Sequence, residues 1–163
     1  MAADVVVVLT DGGTPWPERR TAVPLIVAAS CELPEPGTWK ACEMMGKPIL
    51  VTRDREGVAR AFLNVCSHRG GRVAREGCGA GTRFACEYHG WTFAADGKLV
   101  GVADPAKFGA VDKESRALKA LPCAEKGGFI FAVLTPGATI DVDSFYAGML
   151  DDFELLGFKD WAF

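Results

Sequence analysis

Two cysteine-histidine pairs are the residues of this sequence best suited to chemistry. One residue separates Cys66 from His68, two separate Cys86 from His89, and the 163-residue chain has no further histidine. Thiolates and imidazoles are the side chains that bind zinc ions and some iron-sulfur clusters. A glycine lies within two residues of each histidine, which allows the backbone to turn so that both side chains of a pair point into one pocket. The sequence therefore predicts a four-ligand metal site formed by two facing loops.

These residue types leave two kinds of metal site open. In a zinc site the four side chains converge on one ion, whereas in a two-iron cluster with mixed ligands the thiolates bind one iron and the imidazoles bind the other. Common zinc motifs pair cysteine with cysteine or histidine with histidine, but spacing alone excludes neither arrangement. The remaining cysteines are predicted to be small apolar core residues or unpaired thiols, not ligands; they are Cys31, Cys42, Cys78 and Cys123.

The residues around both pairs resemble the two signature motifs of the Rieske iron-sulfur family. The motifs are the segments 66–70 (CSHRG) and 86–91 (CEYHGW). They resemble most closely the N-terminal domain of the large (alpha) subunits of ring-hydroxylating, or aromatic, dioxygenases. Glu87 departs from the pattern, because the family usually has proline there. The resemblance implies a Rieske-type 2Fe-2S cluster that transfers single electrons and is bound by Cys66, His68, Cys86 and His89.

The same motifs lack features of the high-potential respiratory members of the family. Those proteins carry an extra cysteine in each motif and a serine after the second histidine-glycine, where this chain has Gly71, Tyr88 and Trp91. Because hydrogen bonds to the sulfur atoms raise the reduction potential, we expect the low end of the Rieske range of about −150 to +300 mV.

Short segments rich in branched and aromatic residues alternate with turn residues, which predicts a mainly β protein with antiparallel hairpins. The predicted strands are 25–29, 40–44, 48–53, 58–65, 92–93, 98–102 and 129–134. The glycine-rich segment 67–81 is predicted to be a loop, residues 113–118 a short helix, and Asp143 or Ser144 the cap of a C-terminal helix. The resemblance implies a Rieske (ISP-like) fold, in which antiparallel sheets or a sandwich carry a small cluster-binding subdomain of about 64–93.

Three segments are expected along the chain: an N-terminal arm (1–22), the Rieske domain (23–140), and a C-terminal helix or the start of a further domain (141–163). A ring-hydroxylating oxygenase also needs a mononuclear iron bound by two histidines and a carboxylate. Both histidines are already assigned to the cluster, so we expect the Rieske domain of an aromatic-ring-hydroxylating oxygenase alpha subunit, a component or fragment with no complete catalytic site on this chain. The alternatives are a stand-alone Rieske ferredoxin between a reductase and an oxygenase, and a zinc-binding structural module.

The composition of the sequence limits the classes of partner that we expect. A formal net charge of −3 gives no basic surface for nucleic acid. The apolar run near the N-terminus is far shorter than the roughly 18 residues that span a bilayer, and no export signal precedes it, so we expect a cytoplasmic protein without membrane contact. The resemblance implies a ferredoxin or reductase as electron donor and an oxygenase catalytic domain or subunit as acceptor.

Overall fold

Short antiparallel strands make up most of the fold. A computed structural model describes residues 23–161. The strands assigned in this range are β1 (Leu25–Ala29), β2 (Thr38–Met44), β3 (Lys47–Arg53), β4 (Ala59–Leu63), β5 (Gly77–Ala80), β6 (Arg83–Ala85), β7 (Thr92–Ala94), β8 (Leu99–Gly101), β9 (Ala120–Leu121), β10 (Cys123–Lys126) and β11 (Phe129–Ala132). Two α-helices follow, α1 (Val142–Tyr146) and α2 (Met149–Leu155). Short 3-10 turns occupy Ser30–Glu32, Pro105–Lys107 and Phe158–Asp160.

The strands form three sheets. The largest has the order β5-β2-β3-β4-β9, a second has the order β1-β11-β10, and a small third sheet has the order β6-β7-β8. All the paired strands run antiparallel. The predicted mainly β, antiparallel fold class is confirmed. The second motif (86–91) connects β6 to β7, so the small sheet carries it.

Strand β3 lies between two apolar clusters because consecutive strand residues point to opposite faces. Leu50 packs into a cluster that also contains both motif cysteines and the buried rings of the small sheet. Ile49 and Val51 pack into a second cluster, shared with β1 and β11. All three side chains are fully buried, which explains the continuous apolar run in a strand covered on both faces. The cysteines of both motifs are thus part of the apolar core.

The glycine-rich segment 67–81 was predicted as loop throughout, and this is wrong for its last residues. Gly77–Ala80 form β5, which pairs with β2 so that Cys78 lies opposite Lys40. A strand made mostly of glycine and alanine shows no alternation of apolar and polar residues. Gly79 has to be small, since a Cβ atom at this position would lie 2.8 Å from the indole ring of Trp39.

Two helix predictions also need correction. Residues 113–118 form bends and turns, and the regular turn of that segment lies earlier, at Pro105–Lys107. The C-terminal helix begins after Asp141, whose carboxylate accepts a hydrogen bond from the Ser144 N–H at 3.0 Å. The helical conformation is interrupted at Ala147 and Gly148, so two short helices replace the predicted single helix.

The expected arm at 1–22 lies outside the described residues. Within 23–161, none of the helices combines the length and apolar character that crossing a membrane requires.

Candidate metal centre

The first motif forms a tight loop, here called the first loop (66–71). The Cys66 N–H donates to the Gly71 carbonyl at 2.7 Å, and the Gly70 N–H donates back to the Cys66 carbonyl at 2.9 Å. Gly70 has φ +77°, a left-handed conformation that favours glycine. These two hydrogen bonds fold the loop around the side chain of His68.

The second motif forms a loop with the same hydrogen-bond frame, here called the second loop (86–91). The Cys86 N–H donates to the Trp91 carbonyl at 2.8 Å, and the Gly90 N–H donates to the Cys86 carbonyl at 2.9 Å. Gly90, with φ +64°, has the left-handed conformation at the position equivalent to Gly70. The frames match although the histidine is the third residue of one loop and the fourth of the other.

The two loops bring their thiols together. Cys66 and Cys86 are both 3% exposed, and their side chains are within hydrogen-bonding distance of each other. Burial raises the pKa of the Cys66 thiol, and the adjacent thiol of Cys86 raises it further. Two buried thiols without a disulfide are suited to a metal, because a bound cation supplies the positive charge that stabilises the thiolates.

The two imidazoles also form a pair. The ring centroids of His68 and His89 lie 4.6 Å apart, with 74° between the ring planes. The Nδ1 atom of His68 is buried and has no hydrogen-bond partner among the described residues, which is the environment of a nitrogen that binds a metal. Burial, with His89 nearby, lowers the pKa of His68 and favours the neutral form that binds metals.

This arrangement suits a two-iron cluster better than a single ion. The sulfur atoms make one pair and the imidazole rings make another, which matches two irons with two ligands each. Among residues 23–161, no three histidine, cysteine or acidic side chains gather closely enough to hold one metal ion. The donors therefore fit a Rieske-type cluster.

Aromatic side chains surround the imidazole pair. The ring of Trp91 stacks on His68 at a centroid distance of 4.9 Å and an angle of 12°, and Tyr88 stacks on His89 at 5.8 Å and 22°. Trp91 is buried, whereas Tyr88 is 75% exposed. A third ring, Phe108, packs edge-on against His68 at 5.2 Å. Phe108 was not anticipated, because it lies beyond both motifs in a polar segment without periodicity.

Asn64 is a second residue whose contribution the sequence analysis missed. Its side chain is fully buried and spans the base of the first loop. The side-chain oxygen accepts from the N–H groups of Val73 and Ala74 at 3.1 and 3.0 Å, and the amide donates to the Ala74 carbonyl at 2.8 Å. The available signal was an asparagine two residues before the first motif cysteine, directly after the apolar end of β4.

Of the remaining cysteines, Cys42 and Cys123 pack against the apolar cluster shared with β1 and β11, whereas the motif cysteines belong to the other cluster. Burial raises the pKa of Cys123 to about 12 and also raises that of Cys42, so neither thiol ionises near neutral pH. Cys31 is half-buried. Cys78 is exposed on the edge strand β5, so of the two predicted alternatives it is an unpaired thiol and not a core residue.

Comparison with known proteins identifies the family. The family model for the Rieske 2Fe-2S domain matches residues 23–122. The chain belongs to the Rieske family. A Rieske-type 2Fe-2S cluster is accordingly the cofactor of this domain, and the zinc alternative loses its support.

Curated relatives of this Rieske chain are oxygenase subunits. It is 34% identical over 129 residues to the glycine betaine monooxygenase oxygenase subunit of Chromohalobacter salexigens, which covers 79% of this chain and 28% of that protein. It is 34% identical over 115 residues to the anthranilate 1,2-dioxygenase large subunit of Acinetobacter baylyi, covering 70% of this chain and 24% of that one. The Rieske chain thus spans about a quarter of the length of these relatives.

Solved structures agree with the fold. A crystal structure of the quaternary ammonium Rieske monooxygenase CntA with L-carnitine matches with a TM-score of 0.75 and 30% identity, covering 84% of this chain and 39% of that chain. A naphthalene 1,2-dioxygenase structure matches with a TM-score of 0.72 and 28% identity, covering 79% and 29%. The predicted resemblance to oxygenase alpha subunits is confirmed.

Proposed function

We propose that Cys66, Cys86, His68 and His89 are the four ligands of the 2Fe-2S cluster, and that the domain transfers single electrons. The observation that carries this proposal is the meeting of two loops with the same hydrogen-bond frame, which pairs two buried thiols and two imidazoles. When bound, the cluster supplies a centre that accepts and releases one electron.

The ligand set itself favours reduction. Two ferric ions and two sulfides carry a formal charge of +2, which the thiolates of Cys66 and Cys86 cancel. The neutral imidazoles of His68 and His89 add no charge. An extra electron therefore enters a neutral centre, whereas four thiolates would make the centre negative and oppose reduction.

We further propose that the electron serves an oxygenase. A ferredoxin or reductase would donate it, and an oxygenase catalytic domain or subunit would accept it, in line with the relatives, which are oxygenase subunits. The names of these relatives include both a quaternary ammonium compound and an aromatic acid, at the same 34% identity. The proposed role of this domain is the same with either class of substrate.

A reductive titration of the purified chain tests the proposal, with visible absorption followed throughout and an electron paramagnetic resonance spectrum recorded at the end. The expected result is a red-brown protein that bleaches at about −150 mV and then gives a rhombic signal with an average g value below 2. Cys66→Ser should abolish this signal and Cys78→Ser should keep it, since Cys78 is exposed on the edge strand β5 and belongs to neither loop. A colourless protein with one zinc per chain would overturn the proposal.

A further inference from the structure

The segment 102–118, here called the strap, connects β8 to β9 and crosses both loops of the metal centre. At the first loop, the Ser67 hydroxyl donates to the Arg116 carbonyl at 2.6 Å, and the Arg116 guanidinium approaches the Ser67 carbonyl at 3.5 Å. At the second loop, a Cβ atom on Gly90 would lie only 2.7 Å from the Cβ of Ala103. The strap therefore contacts each loop beside its histidine.

Local backbone geometry sets the position of Phe108 within the strap. Asp104 has φ 53°, and Pro105 then begins the 3-10 turn with its fixed backbone angle. The Phe108 N–H closes this turn by donating to the Pro105 carbonyl at 3.0 Å, and Gly109 reverses the chain with φ +65°. Phe108 thus projects from a defined turn and packs, half-buried, against the cluster that contains both motif cysteines.

The Phe108 ring meets the metal centre on its imidazole side. Its centroid lies 5.2 Å from that of His68, 5.9 Å from Trp91 and 6.4 Å from His89, and the interplanar angles are 88°, 76° and 83°. Trp91 is nearly parallel to His68, so one stacked ring and one perpendicular ring contact the same imidazole. These contacts restrict rotation of the His68 ring and of the adjacent His89 ring.

We propose that Phe108 is a positioning residue of the metal centre, which holds the His68 and His89 rings in their metal-binding orientation and covers them against water. The proposal rests on the proposed ligand roles of these histidines. Residues that orient metal ligands typically change metal affinity by about 10- to 100-fold when they are mutated. The strap is accordingly a third component of the site, beside the two loops.

Two measurable properties depend on this cover. Removing the ring opens the imidazole side to water and chelators, so the cluster should be lost faster. The reduction potential should also rise, because the reduced centre carries one more negative charge and water stabilises charge better than an aromatic ring does. Removing a residue that only stabilised the fold would neither expose the imidazole rings to water nor raise the reduction potential in this way.

The test compares Phe108→Ala, Phe108→Leu and the control Phe145→Ala in the full chain. Phe145 is an aromatic residue of α1 that is 44% exposed and whose ring contacts Tyr146. Decay of the visible absorption in excess chelator, the reduction potential and the g values of the reduced protein are measured. For Phe108→Ala we expect about tenfold faster decay, a raised potential and shifted g values. Phe108→Leu, which still covers the rings, should stay within about twofold of the unmodified chain, as should Phe145→Ala.

The outcomes separate this proposal from the proposed function. If the unmodified chain gives the Rieske spectrum while Phe108→Ala matches it in decay, potential and g values, the ligand assignment stands and the role of Phe108 is refuted. If the unmodified chain shows no such spectrum, the ligand assignment itself fails. Should Phe108→Ala fail to fold, Phe108→Val replaces it, and equal decay of the valine and leucine variants would refute the proposal.

Discussion

At the scale of single residues, buried hydrogen bonds hold the first loop that carries two of the proposed ligands. Asn64 is the clearest case, because its side chain closes the ten-residue segment that carries the first loop through three hydrogen bonds. An alanine at this position would leave two buried N–H groups and one carbonyl without these partners. Buried polar groups without hydrogen-bond partners destabilise the folded state, so we expect this asparagine to contribute strongly to the stability of the site.

We therefore expect Asn64→Ala to lower the free energy of unfolding by about 2–4 kcal/mol and to reduce the amount of cluster per chain. Urea unfolding followed by far-ultraviolet circular dichroism measures the first effect, and visible absorption the second. Thr38→Ala is the matched control, since its hydroxyl donates to the Glu35 carbonyl in an exposed turn and should contribute less than about 1 kcal/mol. Equal midpoints for the two variants would contradict this role of Asn64.

At the scale of elements, the two loops pack against each other so closely that one position tolerates only glycine. A Cβ atom on Gly71 would lie 2.6 Å from the Tyr88 ring and 3.2 Å from the Cys86 sulfur. The Tyr88 ring is exposed and can move away, but the Cys86 sulfur is buried and, as a proposed ligand, would be held in place. The sulfur contact is therefore the one that limits substitution.

Gly71→Ala should separate the loops, with a cost of about 1–3 kcal/mol in stability and less chromophore per chain. The double variant Gly71→Ala/Tyr88→Ala tests which contact matters: we expect it to recover little, because the sulfur contact remains. Gly81→Ala is the control, since its nearest neighbour would be the Trp39 indole nitrogen at 3.9 Å. Full recovery of absorbance in the double variant would show instead that the tyrosine ring is the obstacle.

Elements with an apolar pattern were predictable, and those held by tertiary contacts were not. Strand β1 was predicted with its observed bounds because Leu25–Ala29 is a compact apolar run. Strand β5 was missed because its glycines follow from pairing with β2 and from the Trp39 ring, neither of which is local. The motifs indicated the four side chains that the structure brings together as a thiol pair and an imidazole pair. Phe108 could not be found this way, because its contact with the histidines depends on how the strap crosses the loops.

At the scale of the whole molecule, one ion pair joins the two larger sheets. Arg53 at the end of β3 donates to both carboxylate oxygens of Glu125 in β10, at 2.9 and 2.7 Å, and its Nε donates to the Leu33 carbonyl at 2.5 Å. The hydrogen bond from Arg53 lowers the pKa of Glu125 although partial burial opposes this. The pair therefore stabilises the folded state most when Glu125 is ionised.

Glu125→Gln should lower the free energy of unfolding by about 1–2 kcal/mol at pH 7, since a charge-assisted pair becomes a neutral one. A carboxyl whose pKa is lowered by folding contributes fully above its unfolded value of about 4.3, and this contribution is lost as pH falls through the lower folded value. The difference between the variant and the unmodified chain should thus shrink below about pH 4. Urea midpoints at pH 7 and pH 3.5 measure it, and a constant difference would contradict the assignment.

Hydrogen bonds also fasten the small sheet, β6-β7-β8, to the rest of the molecule. The Thr52 hydroxyl in β3 donates to the Ala95 carbonyl at 2.7 Å, and the Leu118 N–H at the end of the strap donates to the Gly97 carbonyl at 2.8 Å. The second loop is thereby attached to the central strand of the largest sheet. If the domain carries electrons as proposed, these hydrogen bonds hold the second loop on the core, so the distance from its cluster to a partner centre would be set by how the whole domain docks.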